Sequence, residues 1–221
     1  MSEVIIKVEN VVRKFKENNA LNGVSINFEK GKIHGIIGRN GSGKTVLFKC
    51  ICGFMPMTSG KITVSGKVIG KDADIPDNVG LIIETPGFLP NYSGFKNLKL
   101  LACIKRKIDD KKIMETMERV GLDPKSKKHV NKYSLGMRQR LGIAQAIMED
   151  PDILVLDEPM NGLDNEGVEE MRELFLNLRN EGKTILLASH NKGDIEYLCD
   201  TVREMDHGNV ISFYEKPRAV E

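Results

Sequence analysis

The stretch KIHGIIGRNGSGKT, residues 32–45, decides how the rest of the chain is read. It opens with a nearly unbroken apolar run, as in a parallel strand covered on both faces. It then matches G-x-x-x-x-G-K-[ST] at 38–45 without a gap and passes into a helical pattern over 43–53. Phosphate binding explains these residue types. Gly38, Gly41 and Gly43 let backbone N–H groups turn inward with no Cβ in the way, forming a concave anion nest. The helix that begins near Lys44 points the positive end of its dipole at the phosphates. Lys44 reaches the β- and γ-phosphates and so takes part in catalysis, while the Thr45 hydroxyl ligates Mg²⁺. The expected contacts of a nucleoside triphosphate in this stretch are Gly38, Asn40, Gly41, Ser42, Gly43, Lys44, Thr45 and Val46.

Two further apolar runs, DILVLDE at 152–158 and KTILLASH at 183–190, repeat the strand pattern, and helical patterns follow at 165–181 and 191–199. Such βα alternation implies an α/β core around a parallel sheet. Asp157 and Glu158 end the second run, where adjacent carboxylates can both reach one site: Asp157 for the Mg²⁺ shell, Glu158 as the base that polarises the attacking water. His190 ends the third run, on the edge where open sheets bind ligands, and is the candidate γ-phosphate contact. The first 30 residues alternate like antiparallel strands, and KITVSGKVI at 61–69 reads as a short hairpin of the same kind. Strand signals vanish between about 86 and 150, where helices are expected near 95–107, 109–120 and 136–148. The expected organisation is one phosphate-loop NTPase domain over 1–221. Residues 1–85 and 150–221 form the core and β subdomain, and 86–149 form a helical subdomain that moves semi-independently.

Composition narrows the classes. Thirty-three basic against 31 acidic residues give a net charge of +2, without the basic face that nucleic acid demands. The longest apolar runs fall far short of the ~20 residues needed to span a bilayer. The start, MSEVIIKVEN, does not read as a signal peptide. Cys50, Cys52, Cys103 and Cys199 lack zinc-like spacing and read as buried free thiols in a reducing compartment. A cytosolic chain follows, one that meets a membrane only through a partner.

Taken in order, GRNGSGKT, YSLGMRQR (133–140), ILVLDEP (153–159), NGLD (161–164) and SH (189–190) make the chain resemble the ATP-binding subunits of ABC transporters over nearly its whole length. Phosphate-loop kinases and GTPases do not carry YSLG followed shortly by ILVLDEP. The resemblance implies a two-lobed subunit that pairs head to tail, with itself or a homologous subunit, around two ATP molecules. The family's usual LSGGQ offers a serine, glycine amides and a helix N-terminus to the γ-phosphate held by the other protomer. Ser134 and Gly136 match it, while Leu135 and Met137 replace the usual Gly and Gln. Serine is also a favoured helix cap, and a capped helix end binds anions, so both readings of Ser134 are compatible. Asp164 is implied at the dimer interface. Phe15 falls where the family stacks an aromatic on adenine; a strand residue in a small apolar core is the other reading. The helical insertion is implied to dock the membrane-spanning permease at the cytoplasmic face of the membrane. Phe88, Leu89 and Tyr92 are the candidate contacts there, with core packing as the equal alternative.

Other departures matter too. Val46 replaces a frequent hydroxyl residue, which weakens ATP binding by roughly 0.5–1.5 kcal/mol. In GLIIETPGF (80–88), Glu84 stands where the family has a glutamine, offering a charge to Mg²⁺ or to the attacking water. Glu in this loop, together with YSLGM, resembles the subgroup that exports bacitracin, lantibiotics and similar peptides. The leading expectation is an ATPase that powers export of an antimicrobial peptide or related toxic compound. The alternatives are a soluble ABC-type ATPase and a low-turnover, ATP-gated dimerising switch.

Overall fold

The computed structural model describes residues 3–16, 18–84 and 87–216; Met1, Thr85, Pro86 and Glu221, where the sequence reading sets its domain limits, lie outside them. In chain order the elements are β1 (Val4–Phe15), β2 (Asn18–Glu29), β3 (Ile33–Ile37), α1 (Lys44–Ile51), β4 (Ser59–Val64), β5 (Lys67–Val68), β6 (Val79–Ile82), α2 (Gly94–Lys105), α3 (Asp110–Arg119), α4 (Leu135–Ile147), β7 (Ile153–Asp157), α5 (Asn165–Asn180), β8 (Thr184–Ala188), α6 (Lys192–Leu198), β9 (Thr201–Asp206) and β10 (Asn209–Glu215).

A four-stranded antiparallel sheet has the order β2-β1-β4-β5, and a six-stranded sheet the order β10-β9-β3-β8-β7-β6. In the larger sheet every pairing is parallel except that of β9 with β10. Strand side chains alternate between two cores, as the two-residue period requires. Ile153, Val155, Leu186 and Ala188 face a core shared with α1 and the antiparallel sheet. Leu154, Leu156, Ile185 and Leu187 face a core shared with the helices of the other side. Both faces are covered, which is why these strands read as continuous apolar runs. The face toward α1, however, is closed partly by a sheet and not by helices alone.

Leu98 of α2, Met117 of α3 and Leu141 of α4 belong to the same cluster as Leu154 and Phe175. The helical segment has no core of its own among the described residues. The register sets Ile36 beside Ala188, Ala188 beside Asp157, and Leu156 beside Ile82. The chain leaving β3, β6, β7 and β8 therefore emerges along one edge, the usual ligand edge of a parallel sheet.

Strands β6, β9 and β10 carry no clear sequence pattern. β10 is almost wholly exposed, and β9 is only half buried. The His207-Gly208 turn between them, with φ of 45° and 77°, is the hairpin signal that marks them. The thiols divide as well. Cys50, Cys52 and Cys199 are buried, and burial pushes their pKa values up to about 11, 12 and 12. Cys103 is exposed, against the expectation for all four.

Candidate functional site

The loop between β3 and α1 is shaped by its glycines. Gly38 and Gly43 have φ of 149° and 107°; a Cβ would lie 2.3 Å from the Met205 carbonyl oxygen at Gly38 and 2.6 Å from that of Ala20 at Gly43. Only glycine fits such close backbone approaches. The β9–β10 turn supports the loop from behind: Gly208 N–H donates to the Ser42 carbonyl at 3.0 Å. Arg39 pairs with Asp206 at 3.1 Å.

Lys44 is 7% exposed, and its ammonium donates to the carbonyls of Gly38 (2.7 Å) and Arg39 (3.2 Å), so the loop encloses its own cation. Ser42 Oγ is buried with no hydrogen-bond partner. An orphaned buried hydroxyl inside a glycine nest fits an anionic ligand that supplies the missing partner. Asn40 is exposed at the turn, and Val46 leans on the core beneath.

Thr45 Oγ donates to Asp157 Oδ2 at 2.6 Å, which joins the start of α1 to the end of β7. Glu158, the next residue, has φ of 51°. A left-handed conformation at a side-chain-bearing residue costs roughly 1–3 kcal/mol and persists only where the surroundings enforce it. Its N–H donates to Ala188 O (2.9 Å), its carbonyl accepts from Asn161 N–H (3.2 Å) and Gln139 Nε2 (3.3 Å), and Gln139 also donates to Pro159 O (2.8 Å). The conformation brings Glu158 Oε2 to 2.9 Å from His190 Nδ1. A carboxylate only accepts, so Nδ1 carries the proton.

Glu84 also has positive φ, 61°, and its carboxylate pairs with Lys49 at 2.5 Å. Lys49 follows Thr45 by four residues and so lies on the same face of α1. A cleft of about 650 Å³ is lined by Thr45, Glu84, Asp157 and Glu158, with Leu135 and Gln139 on its other side; Ser134 and Gly136 lie outside it. Its size suits a nucleotide-sized ligand.

The remaining expected residues do not line the cleft. Ser134 is exposed and caps α4, its Oγ accepting from Met137 N–H at 3.1 Å. Gly136 lies against the turn at Gly162. Asp164 is exposed and caps α5 through Gly167 N–H at 3.0 Å. Phe15 is 43% exposed at the end of β1, outside both core clusters, with the Arg13 guanidinium 4.6 Å from its ring centre. Leu89 and Tyr92 are exposed, whereas Phe88 packs partly on the core. Lys49 and Gln139 are absent from the sequence reading. The four-residue spacing from Thr45 could have found Lys49, but no pattern marks the backbone carbonyls that Gln139 meets.

Comparison with known proteins agrees with this assembly. The ABC transporter family pattern matches residues 21–161. The chain is 46% identical over 206 residues to the uncharacterized ABC transporter ATP-binding protein YybJ of Bacillus subtilis, covering 93% of this chain and 94% of that one. It is 38% identical to the bacitracin transport ATP-binding protein BcrA of Enterococcus faecalis, covering 95% and 68%. It is 35% identical to the lantibiotic transport ATP-binding protein SrtF of Streptococcus pyogenes, covering 94% and 89%. A bacterial ABC transporter cassette solved as a dimer superposes with a TM-score of 0.87 at 23% identity, over 95% and 98% of the two chains, and so shares the fold. With its phosphate loop, its carboxylate pair and a family match over residues 21–161, the chain belongs to the ABC transporter family, as one of its ATP-binding, ATP-hydrolysing subunits.

Proposed function

We propose that this subunit works as a head-to-tail pair on the cytoplasmic face of a membrane, driving a permease that exports an antimicrobial peptide or a related toxic compound. The observation that carries the pairing is the position of Ser134 and Gly136. Ser134 is exposed at the helix end, and neither residue lines the cleft that holds their own chain's phosphate loop, although Leu135 between them does. A helix N-terminus with an exposed serine suits the γ-phosphate of a partner's ATP. The peptide class rests on the likeness to the bacitracin and lantibiotic transport proteins, together with Glu84. Exposed Leu89 and Tyr92, near the start of α2, are the proposed permease contacts.

Within one site, residues 38–45 hold the phosphates and Lys44 exchanges its backbone carbonyls for phosphate oxygens. Phe15 offers its ring to adenine, and Asp164 lies at the interface between protomers. Thr45 Oγ and Asp157 Oδ2 are hard oxygen ligands already adjacent, and Glu84 adds a third. Among the described residues no group of three or more His, Cys, Asp or Glu could hold a metal by itself. That suits Mg²⁺, which binds through one or two carboxylates, phosphates and water. When bound, Mg²⁺ neutralises charge on the β- and γ-oxygens. Glu158 takes the proton of the attacking water, and His190 is held by Glu158 to contact the γ-phosphate.

Glu158→Gln is expected to keep ATP binding, lose hydrolysis and trap an ATP-bound dimer visible by size-exclusion chromatography. Near-normal turnover in that variant would remove Glu158 as the base.

A further inference from the structure

We propose that Gln139 is a positioning residue for Glu158. The inference rests on Glu158 acting in hydrolysis and assigns what keeps it in its working conformation. Glu158 is a side-chain-bearing residue in the left-handed region, and the backbone on either side of it is pinned. Ala188 takes its N–H, and Asn161 returns a turn bond to its carbonyl. Among the described residues, Gln139 Nε2 is the one side-chain group that hydrogen-bonds this backbone, at 3.3 Å to Glu158 O and 2.8 Å to Pro159 O. Gln139 is 9% exposed, and its amide spans two successive carbonyls at a buried turn. An apolar side chain there would leave Pro159 O without this donor, leave Glu158 O to Asn161 N–H alone, and remove the lateral restraint on the turn.

The same helix also grips the far end of this turn. A Cβ at Gly162 would come within 2.4 Å of the Leu135 Cγ and Cδ2 atoms, and one at Gly136 would come within 3.0 Å of Gly162 O. Leu135 and Gln139 are four residues apart and so share one face of α4. Leu135, where the family usually has glycine, thus packs within its own chain onto the turn that runs from Glu158 to Asp164. One helix carries Ser134 at its open end and, five residues on, the amide that holds Glu158. A displacement of α4 would therefore move the Glu158 carboxylate relative to His190 Nδ1.

The test uses the full chain with ATP. Gln139→Met keeps the volume and removes the donor. It is expected to lower kcat by about 10²-fold, as misplacement of a reacting group by about 1 Å does, while ATP affinity stays near that of the wild type. The His190 imidazole ¹⁵N resonances are expected to shift toward those of Glu158→Ala. In single turnovers, Gln139→Met on top of Glu158→Gln is expected to add almost nothing, because the two act as a unit. Gln139→Asn, which withdraws the same amide by one methylene, carries the same prediction with about a tenfold loss if the Met variant does not fold. Wild-type kcat in the Gln139 variants, with Glu158→Gln inactive, overturns the proposal alone. So does an unshifted His190 signal, or a loss that simply multiplies in the double variant. Active Glu158→Gln instead overturns the reading of Glu158 beneath it.

Discussion

Two helix entrances of the chain are proposed anion sites, and they are made differently. α1 starts at Gly43, in left-handed conformation with no side-chain cap, and its first residue is a buried lysine. α4 starts at Ser134, in extended conformation, with the serine hydroxyl capping Met137 N–H and exposed to solvent. The first entrance needs glycine because Ala20 and Met205 press against the backbone, and it encloses a cradle completed by residues nearby in sequence. The second needs no such loop; Leu135 and Arg138 of its first turn line the cleft, while Ser134 and Gly136 do not. The first entrance is buried and steric; the second is open and polar.

Three perturbations would break or sharpen that contrast. The largest effect is expected at α4. Ser134→Arg should lower hydrolysis by about 10²–10³-fold, as does loss of a transition-state donor, yet leave ATP affinity of the monomer nearly unchanged by equilibrium dialysis. A parallel loss of monomer affinity would make Ser134 part of its own chain's site and erase the difference between the entrances.

The next concerns the strand that carries the phosphate loop. His34 of β3 is fully buried between Thr201 Oγ (2.7 Å) and Glu29 O (2.8 Å). Glu29 O can only accept, so Nε2 donates to it and Nδ1 accepts from Thr201. Desolvation holds the ring's pKa down at about 4. Unfolded histidine titrates near 6.5, so between these values the unfolded chain binds a proton that the folded chain refuses. Stability is therefore full above about pH 6.5 and declines as pH falls toward 4, by up to ~3 kcal/mol. Urea denaturation across this range checks it, and His34→Gln should flatten the slope. An equally steep decline in that variant would mean that His34 is not the group responsible.

The smallest effect is expected at Glu84. Glu84→Gln should raise the Mg²⁺ needed for nucleotide binding, while Lys49→Met, which frees the carboxylate, should lower it. Exposed pairs are worth only about 0.2–1 kcal/mol, so both changes are several-fold at most. Coincident Mg²⁺ titration curves for all three proteins would separate Glu84 from the metal.

Much of this was legible in the residues. GRNGSGKT, ILVLDE and KTILLASH lie in their expected strands and turns because a phosphate loop and a buried parallel strand are encoded locally, by glycine and by unbroken apolar runs. The β9–β10 hairpin was not legible. β10 lies at the sheet edge, where water accepts almost any side chain, and β9 beside it is only half buried, so neither keeps a clear pattern. The spacing from Thr45 marks the position of Lys49, but its partner lies 35 residues away, on another strand's loop. Phe15 falls at a family position, but its half-exposed ring beside Arg13 is seen only in the structure.

The sequence by itself determined the parallel core, the phosphate cradle and the family, since each depends on residue types at short, fixed spacing. Only the tertiary structure decided that Glu158 is held in a left-handed turn against His190, that Gln139 and Leu135 bracket that turn from α4, and that Glu84 rests on Lys49. The reason is physical. Each of these depends on distances between segments far apart in the chain, and many of the partners are backbone atoms, which every residue carries and no sequence pattern marks.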